Sequence, residues 1–214
     1  MKLNLLLHAF PWITGLPSTQ PGREEIAPSQ GVLVISSENP DAFDLYRWGL
    51  IPSWAKDPSI GNKMFNARAE TLADKAAFKT ALKKRRCLIP ADGFYEWKKE
   101  SGTKRKTKYL FQLASGEPFA FAGLWEVWHD PQGTPVHSCT LITTTPNELV
   151  KPVHDRMPAM IRPGNYQQWV GSHEIPPNTL PELLGPYPAG EMQAEPVIEP
   201  SGAIGRPETG SLFD

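Results

Sequence analysis

Cysteine is almost missing from this sequence, with only Cys87 and Cys139 among 214 residues. That scarcity excludes a disulfide-stapled scaffold and any four-cysteine zinc site, and it suits a reducing cytosol in which both side chains remain thiols. Long apolar runs are missing as well. No stretch reaches the roughly 18 residues that cross a bilayer, so a helical integral membrane protein is excluded. The opening Leu5-Leu6-Leu7 ends at His8, short of the 7–15 residues of a secretory signal, and the chain is read as cytoplasmic. The five histidines are scattered, and no His-Glu-x-x-His or Cys-x-x-Cys pattern occurs. Neither a metal site nor a bound cofactor is therefore expected. A Gly-x-Ser-x-Gly elbow and a Gly-x-x-x-x-Gly-Lys loop are also lacking, which removes the main support for a serine hydrolase or a nucleotidase.

Proline and glycine, by contrast, are plentiful, at 23 and 17 residues spread along the chain. They break long helices and favour short strands joined by turns, so an all-helical bundle is out. With 40% hydrophobic residues, the length suits one globular domain with a sizeable core. Strand-like runs rich in β-branched and aromatic residues occupy 31–36, 45–48, 87–89, 109–113, 118–128 and 137–144. A helix is expected from Arg68 to Lys84, and shorter ones at 147–150 and 165–170. Beyond Gly171 the composition shifts to eight prolines, five glycines and seven acids against the single Arg206. Residues 1–171 are therefore read as the domain and 172–214 as an irregular acidic extension, its last dozen residues disordered.

The net charge of −1 hides an uneven distribution. From Lys79 to Lys108 eleven Lys and Arg face only Asp92, Glu96 and Glu100, a balance of +8, which leaves −9 on the remainder. Such a basic middle is how a phosphate-binding face looks in a sequence, although charge alone favours a solvated helix end plus a lysine-rich hairpin tip.

Four clusters join polar or ionisable groups to aromatics and prolines. In Arg47-Trp48-Gly49-Leu50-Ile51-Pro52-Ser53-Trp54, Trp48 and Trp54 are either core anchors or a platform for unpaired bases. In Asn66-Ala67-Arg68-Ala69-Glu70, Asn66 is either the N-cap of the expected helix or a ligand-facing amide beside Arg68. In Asp92-Gly93-Phe94-Tyr95-Glu96-Trp97, alternation puts Phe94, Glu96 and Lys98 on one face and Tyr95 and Trp97 on the other. A Glu96 dehydrated among aromatics suits acid–base work; an edge-strand Glu96 paired with a lysine is the bland alternative. In His154-Asp155-Arg156-Met157-Pro158, His154 can move a proton near neutrality and Arg156 can hold a phosphate.

Taken together, and in this order, these segments resemble the SOS response-associated peptidase (SRAP) family of abasic-site processing proteins. Ile26-Ala27-Pro28-Ser29-Gln30, Arg86-Cys87-Leu88-Ile89-Pro90 and Phe119 to Glu126 extend the match. The resemblance implies an α+β fold, a β-rich single domain with barrel-like mixed or antiparallel sheets and a few short helices. It implies binding of single-stranded DNA that carries an abasic site, with Asn66, Glu96 and His154 as catalytic residues. Trp48, Trp54, Arg68, Arg86 and Arg156 would contact the DNA, and a monomer is expected. Noncovalent single-strand binding without catalysis, and self-directed peptidase activity, are the alternatives.

One departure is serious. The family begins Met-Cys-Gly-Arg, and its N-terminal cysteine captures the ring-opened sugar; here the start reads Met1-Lys2-Leu3-Asn4. Either the start is displaced and a cysteine-bearing segment is missing, or the chain is a divergent member that binds without a stable crosslink. The first is favoured, because only 25 residues precede Ile26.

Overall fold

Period-two patterning becomes sheet almost everywhere it occurs. The computed structural model describes residues 3–16, 25–103 and 105–198. Its strands are β1 (Gly31–Ser36), β2 (Asp44–Trp48), β3 (Asn66–Arg68), β4 (Arg86–Ala91), β5 (Phe94–Lys99), β6 (Lys106–Leu113), β7 (Phe119–His129), β8 (Pro135–Thr144), β9 (Met157–Pro158), β10 (Met160–Ile161) and β11 (Met192–Pro196). Its α-helices are α1 (Leu3–Ala9), α2 (Ala76–Lys84), α3 (Tyr166–Val170) and α4 (Leu180–Leu183). Strands β7, β4, β1, β2 and β8 pair in that order, and β7 pairs again with β8, so the five close into a barrel. The barrel is mixed: β2 and β3 run parallel to β8, while the β1–β2, β1–β4, β4–β7 and β7–β8 pairs are antiparallel. The expected β-rich α+β fold is the one observed.

Alternation sorts each barrel strand between two environments. Val32 and Val34, Tyr46 and Trp48, Cys87 and Ile89, Phe119, Phe121 and Trp125, and Cys139 and Leu141 bring two or three side chains per strand to a single buried cluster. Their neighbours Leu33, Ile35, Leu88, Ala122, Leu124 and Ile142 belong to a second cluster, packed by Leu6, Phe78, Leu82 and Trp169 of the helices and by Phe10 just past α1. Leu45 lies opposite Leu33 in the ladder and is exposed. The helix-covered face is therefore the outside of the barrel, and the first cluster fills its interior.

Space inside is tight. A Cβ at Gly123 on β7 would lie 2.8 Å from Cys87 Sγ, 2.9 Å from Ile89 Cδ1 and 3.0 Å from Thr140 O. Gly123→Ala should therefore destabilise by about 1–3 kcal/mol, read as a lower urea midpoint at unchanged m-value.

A second sheet, in the order β11, β6, β5, contributes Phe94 and Phe111 to the interior cluster. Their rings stack at 5.0 Å with 14° between planes. Since these side chains join the barrel interior without belonging to its ring, the second sheet covers an open end. Among the described residues no helix is long and apolar enough to cross a membrane.

Three sequence expectations are corrected. Residues 66–68 are not the front of a helix: Asn66, Ala67 and Arg68 pair with Leu141, Ile142 and Thr143 of β8. That ladder satisfies backbone groups the helix would have used, and α2 starts only at Ala76, with Lys75 rather than Asn66 at its N-cap. Residues 148–153 form hydrogen-bonded turns rather than a helix, because Pro152 has no N–H with which to continue one. The chain after Gly171 is not irregular either. Leu183, Leu184, Tyr187 and Met192 are buried, and β11 pairs with β6 from Met192↔Leu113 to Pro196↔Tyr109. A partner for β6 that also supplies apolar cover outweighs the proline-rich composition. The last dozen residues, expected to be disordered, lie outside the described ones.

Candidate functional site

Glu96 reaches its place by simple alternation. On β5 it follows Phe94 by two residues, so both side chains turn toward the barrel, and Glu96 is completely buried at 0% exposure. Its cross-strand partner is Tyr109, whose ring packs on the interior cluster. Opposite-face Tyr95 and Trp97 lie outward, with Lys108 Nζ 4.0 Å from the centre of the Tyr95 ring and 2.6 Å from Glu25 Oε1. The carboxyl is removed from water even though β5 is an edge strand of its sheet.

Asn66 and Arg68 owe their direction to β3. In a parallel ladder, paired residues share a face, so Asn66 lies on the side of Leu141 and Arg68 on the side of Thr143. Leu141 belongs to the barrel interior, whereas Ala67 and Ile142 belong to the helix-covered face. Asn66 is half-buried and Arg68 exposed. The two thus extend the interior face along β8, past the end of β2.

His154 closes the turn of residues 148–153. Asn147 sets that turn: its Oδ1 accepts the N–H groups of Leu149 (3.1 Å) and Val150 (2.9 Å), and its Nδ2 donates to Tyr187 O at 2.7 Å. Nothing in the sequence singled out Asn147, since its role depends on the tail folding back. Val153 packs on the interior cluster and the His154 side chain is only 16% exposed. The imidazole Nδ1 lies 3.1 Å from the Arg156 backbone N–H and 3.1 Å from Asp155 Oδ1. One nitrogen cannot accept from the first and donate to the second at once. The amide contact belongs to a ring whose Nδ1 is unprotonated, and the Asp155 contact to one that carries a proton on Nδ1, either the other neutral tautomer or the imidazolium. With Asp155 89% exposed, that ion pair adds little.

Arg156 is held from two sides. Its Nη1 and Nη2 donate to Glu70 Oε1 (2.8 Å) and Oε2 (3.0 Å), and Nη2 also donates to Thr143 O at 2.7 Å. The Arg156 hydrogen bonds hold the Glu70 carboxyl below its ordinary range. A lowered folded-state pKa means that the stabilisation is complete above the ordinary carboxylate value and is lost as pH falls through the lowered one. Glu70 is half exposed, so screening keeps that contribution small. To grip a phosphate with both arms, Arg156 would first have to release Glu70.

The two tryptophans part company. Trp48 is a core anchor, buried with its Nε1 donating to Phe65 O at 2.8 Å, so its assignment to DNA contact is corrected. Trp54 is 63% exposed and lines a cavity of about 310 Å³ with Lys56, Asp57 and Lys63. The turn that presents it needs Gly49, whose φ of +131° and close approach to Gly61 O admit no side chain. The Asp57 carboxylate is turned to Ser59, accepting from its N–H (2.8 Å) and hydroxyl (2.6 Å).

Arg86 also leaves the DNA-contact set. It is buried, and its guanidinium donates to the carbonyls of Trp169, Leu82, Lys83, Gly171 and His173. Five donors meet five acceptors, and none remains for a phosphate. The basic middle is accordingly less of a face than its +8 suggests. Lys83 pairs with Glu174, Arg85 with Glu126 and Lys108 with Glu25, while Lys99 and Arg105 are exposed around the β5–β6 turn. Both cysteines are buried free thiols, and burial pushes their pKa values up. No cluster of metal-ligating side chains occurs among the described residues.

Comparison with known proteins places this geometry. Residues 13–202 match the family model described as SOS response associated peptidase (SRAP). The chain is 46% identical over 187 residues to the abasic site processing protein YoqW of Bacillus subtilis, covering 87% of this chain and 82% of that protein. It is 31% identical over 161 residues to the abasic site processing protein HMCES of Xenopus tropicalis, covering 65% of this chain and 48% of that one. A crystal structure of a protein from Bordetella bronchiseptica superposes with a TM-score of 0.79 at 25% identity, covering 92% of this chain and 96% of the other.

Proposed function

The chain belongs to the SOS response associated peptidase (SRAP) family, and from that premise we propose that it processes abasic sites in single-stranded DNA, acting as a cytoplasmic monomer. The observation that carries the reading is the arrangement around the barrel's covered end. Glu96 approaches it from the second sheet with no exposed surface, while Phe65 and Val153, the immediate neighbours of Asn66 and His154, pack on the same interior cluster. A fully buried carboxyl, an amide and an imidazole around one apolar floor suit a deoxyribose that has lost its base. In this reading Glu96 assists opening of the sugar ring, Asn66 orients it and His154 moves protons.

Flanking nucleotides need a different surface, and the cavity beside Trp54 supplies its chemistry. An exposed indole offers a stacking face, and Lys56 and Lys63 at its rim offer charge to the adjoining phosphates. Arg68, exposed beside Asn66, continues that charge toward the lesion. Trp54→Ala should weaken single-strand binding by about 5- to 150-fold, the equivalent of roughly 1–3 kcal/mol for one stacked base. Its melting temperature should hardly move, since the side chain is exposed.

The test is fluorescence anisotropy with a labelled oligonucleotide, intact or converted to an abasic site by uracil-DNA glycosylase, at two salt concentrations. Tighter binding of the abasic strand, weakening steeply with salt, is expected. Equal affinity for both strands would reduce the protein to a noncovalent single-strand binder, and no binding to either would remove DNA from its function.

A further inference from the structure

Glu70 takes no part in the proposed sugar chemistry, yet it holds the residue on which His154 rests. It stands two residues beyond β3 and takes Arg156 by both carboxylate oxygens, at 2.8 and 3.0 Å. The same guanidinium donates to Thr143 O at 2.7 Å, and Thr143 is the register partner of Arg68. Met157, next in sequence, is buried and paired with Thr144. Side chain and following residue are thus both tied, and the peptide N–H of Arg156 has little freedom. That N–H is the group 3.1 Å from His154 Nδ1.

We propose that Glu70 is a positioning residue which, by clamping Arg156, holds the ring of His154 with Nδ1 accepting the Arg156 amide and the proton of the neutral imidazole on Nε2. The inference about the ring stands on geometry alone; its consequence for abasic-site chemistry rests on the function proposed above. A bidentate pair fixes the plane as well as the position of a guanidinium, which a single hydrogen bond does not. A second-layer carboxylate that fixes an imidazole's tautomer is a general device for presenting one chosen nitrogen to a substrate. Asp155, the other carboxylate near Nδ1, competes for any ring with a proton on Nδ1, but it is mostly exposed and holds it weakly. The clamp also links the segment bearing Asn66 to the turn bearing His154, two parts of the site that are 88 residues apart in sequence.

The test is a 15N–1H correlation of the histidine rings in the full chain, with His154→Gln identifying the His154 signals. In the unaltered protein, His154 should show one nitrogen of acceptor type and one carrying a proton. Glu70→Gln keeps the size of the side chain and removes its charge and one acceptor oxygen. Arg156→Lys removes the fork from the other side. Both should lose the separated pair in favour of averaged signals, and neither should bind abasic single strands more tightly than the parent. Unchanged His154 signals in folded Glu70→Gln and Arg156→Lys would overturn the proposal. So would tighter DNA binding by Glu70→Gln, which would make Glu70 a competitor for the phosphate on Arg156. Because the ring signals need no DNA, they separate this inference from the functional one: a chain indifferent to abasic sites whose His154 still depends on Glu70 would retain the clamp and lose the chemistry.

Discussion

Arg86→Leu should cost the fold about 3–5 kcal/mol, the range expected when a buried charge and its hydrogen-bonded partners are separated. For a chain of this size that corresponds to a fall in melting temperature of roughly 6–20 °C. The reason lies in where the five carbonyls come from. Leu82 and Lys83 belong to the last turn of α2, Trp169 to the last turn of α3, Gly171 is the α3 C-cap, and His173 follows two residues later. Each helix end leaves carbonyls unpaired and carries partial negative charge, and one guanidinium answers both. It also lies over the Trp169 ring, 5.9 Å from its centre. Leucine would fill much of the volume and leave the carbonyls dry, at a cost for each that the lost desolvation of arginine only partly offsets. Arg86→Lys should recover little, since an ammonium has three donors where five are used. Urea unfolding measures the loss, and single-strand affinity per folded molecule should be unaltered. A loss below about 1 kcal/mol would show that the carbonyls find other partners.

Arg86 also shows where a linear reading of charge fails. Sequence places it in a run with Lys83, Lys84 and Arg85, and nothing local distinguishes the one cation that turns inward. Its acceptors at Trp169, Gly171 and His173 lie more than eighty residues away. The tryptophans teach the same lesson in reverse. Trp48 alternates with Tyr46 on a strand and faces the barrel interior, whereas Trp54 follows Pro52 in a loop and is left in solvent. Identical side chains in one motif were legible as a pair of alternatives, and only the closing of the barrel separates them. Where the signal was local, the reading held. The alternation of Phe94 and Glu96 against Tyr95 and Trp97 appears in the structure as expected, and so do the strands at 31–36 and 137–144. Asn66 was ambiguous because its short extended segment is stabilised by β8, which is distant in sequence. The tail misled for a related cause: Ile175, Leu183, Leu184, Tyr187 and Met192 are buried apolar side chains spaced among prolines without a periodic signature, and the strand that completes the sheet begins at the last of them.

A polypeptide of these 214 residues, incubated with an abasic single strand and then boiled in detergent, should run without attached DNA. An aldehyde released by sugar ring opening reacts with an amine to give a carbinolamine and then, with loss of water, an imine. That imine hydrolyses when the protein unfolds, so a lasting bond needs a second nucleophile to add to the same carbon. A thiol two carbons from the imine nitrogen closes a five-membered thiazolidine ring, and only a free N-terminal cysteine presents that pair. Cys87 and Cys139 cannot substitute. Their nitrogens are peptide amides, both side chains are completely buried, and burial raises their pKa values so that neither is a ready thiolate. Adding sodium cyanoborohydride changes the expectation, because hydride delivered to the imine carbon leaves a secondary amine that survives boiling. A shifted band on a denaturing gel that requires the reductant would therefore mean that an amine of this chain reaches the sugar. A band of equal strength without reductant would mean that some other side chain completes the bond. Such a bond could then not depend on an N-terminal aminothiol, since the sequence used begins Met1-Lys2.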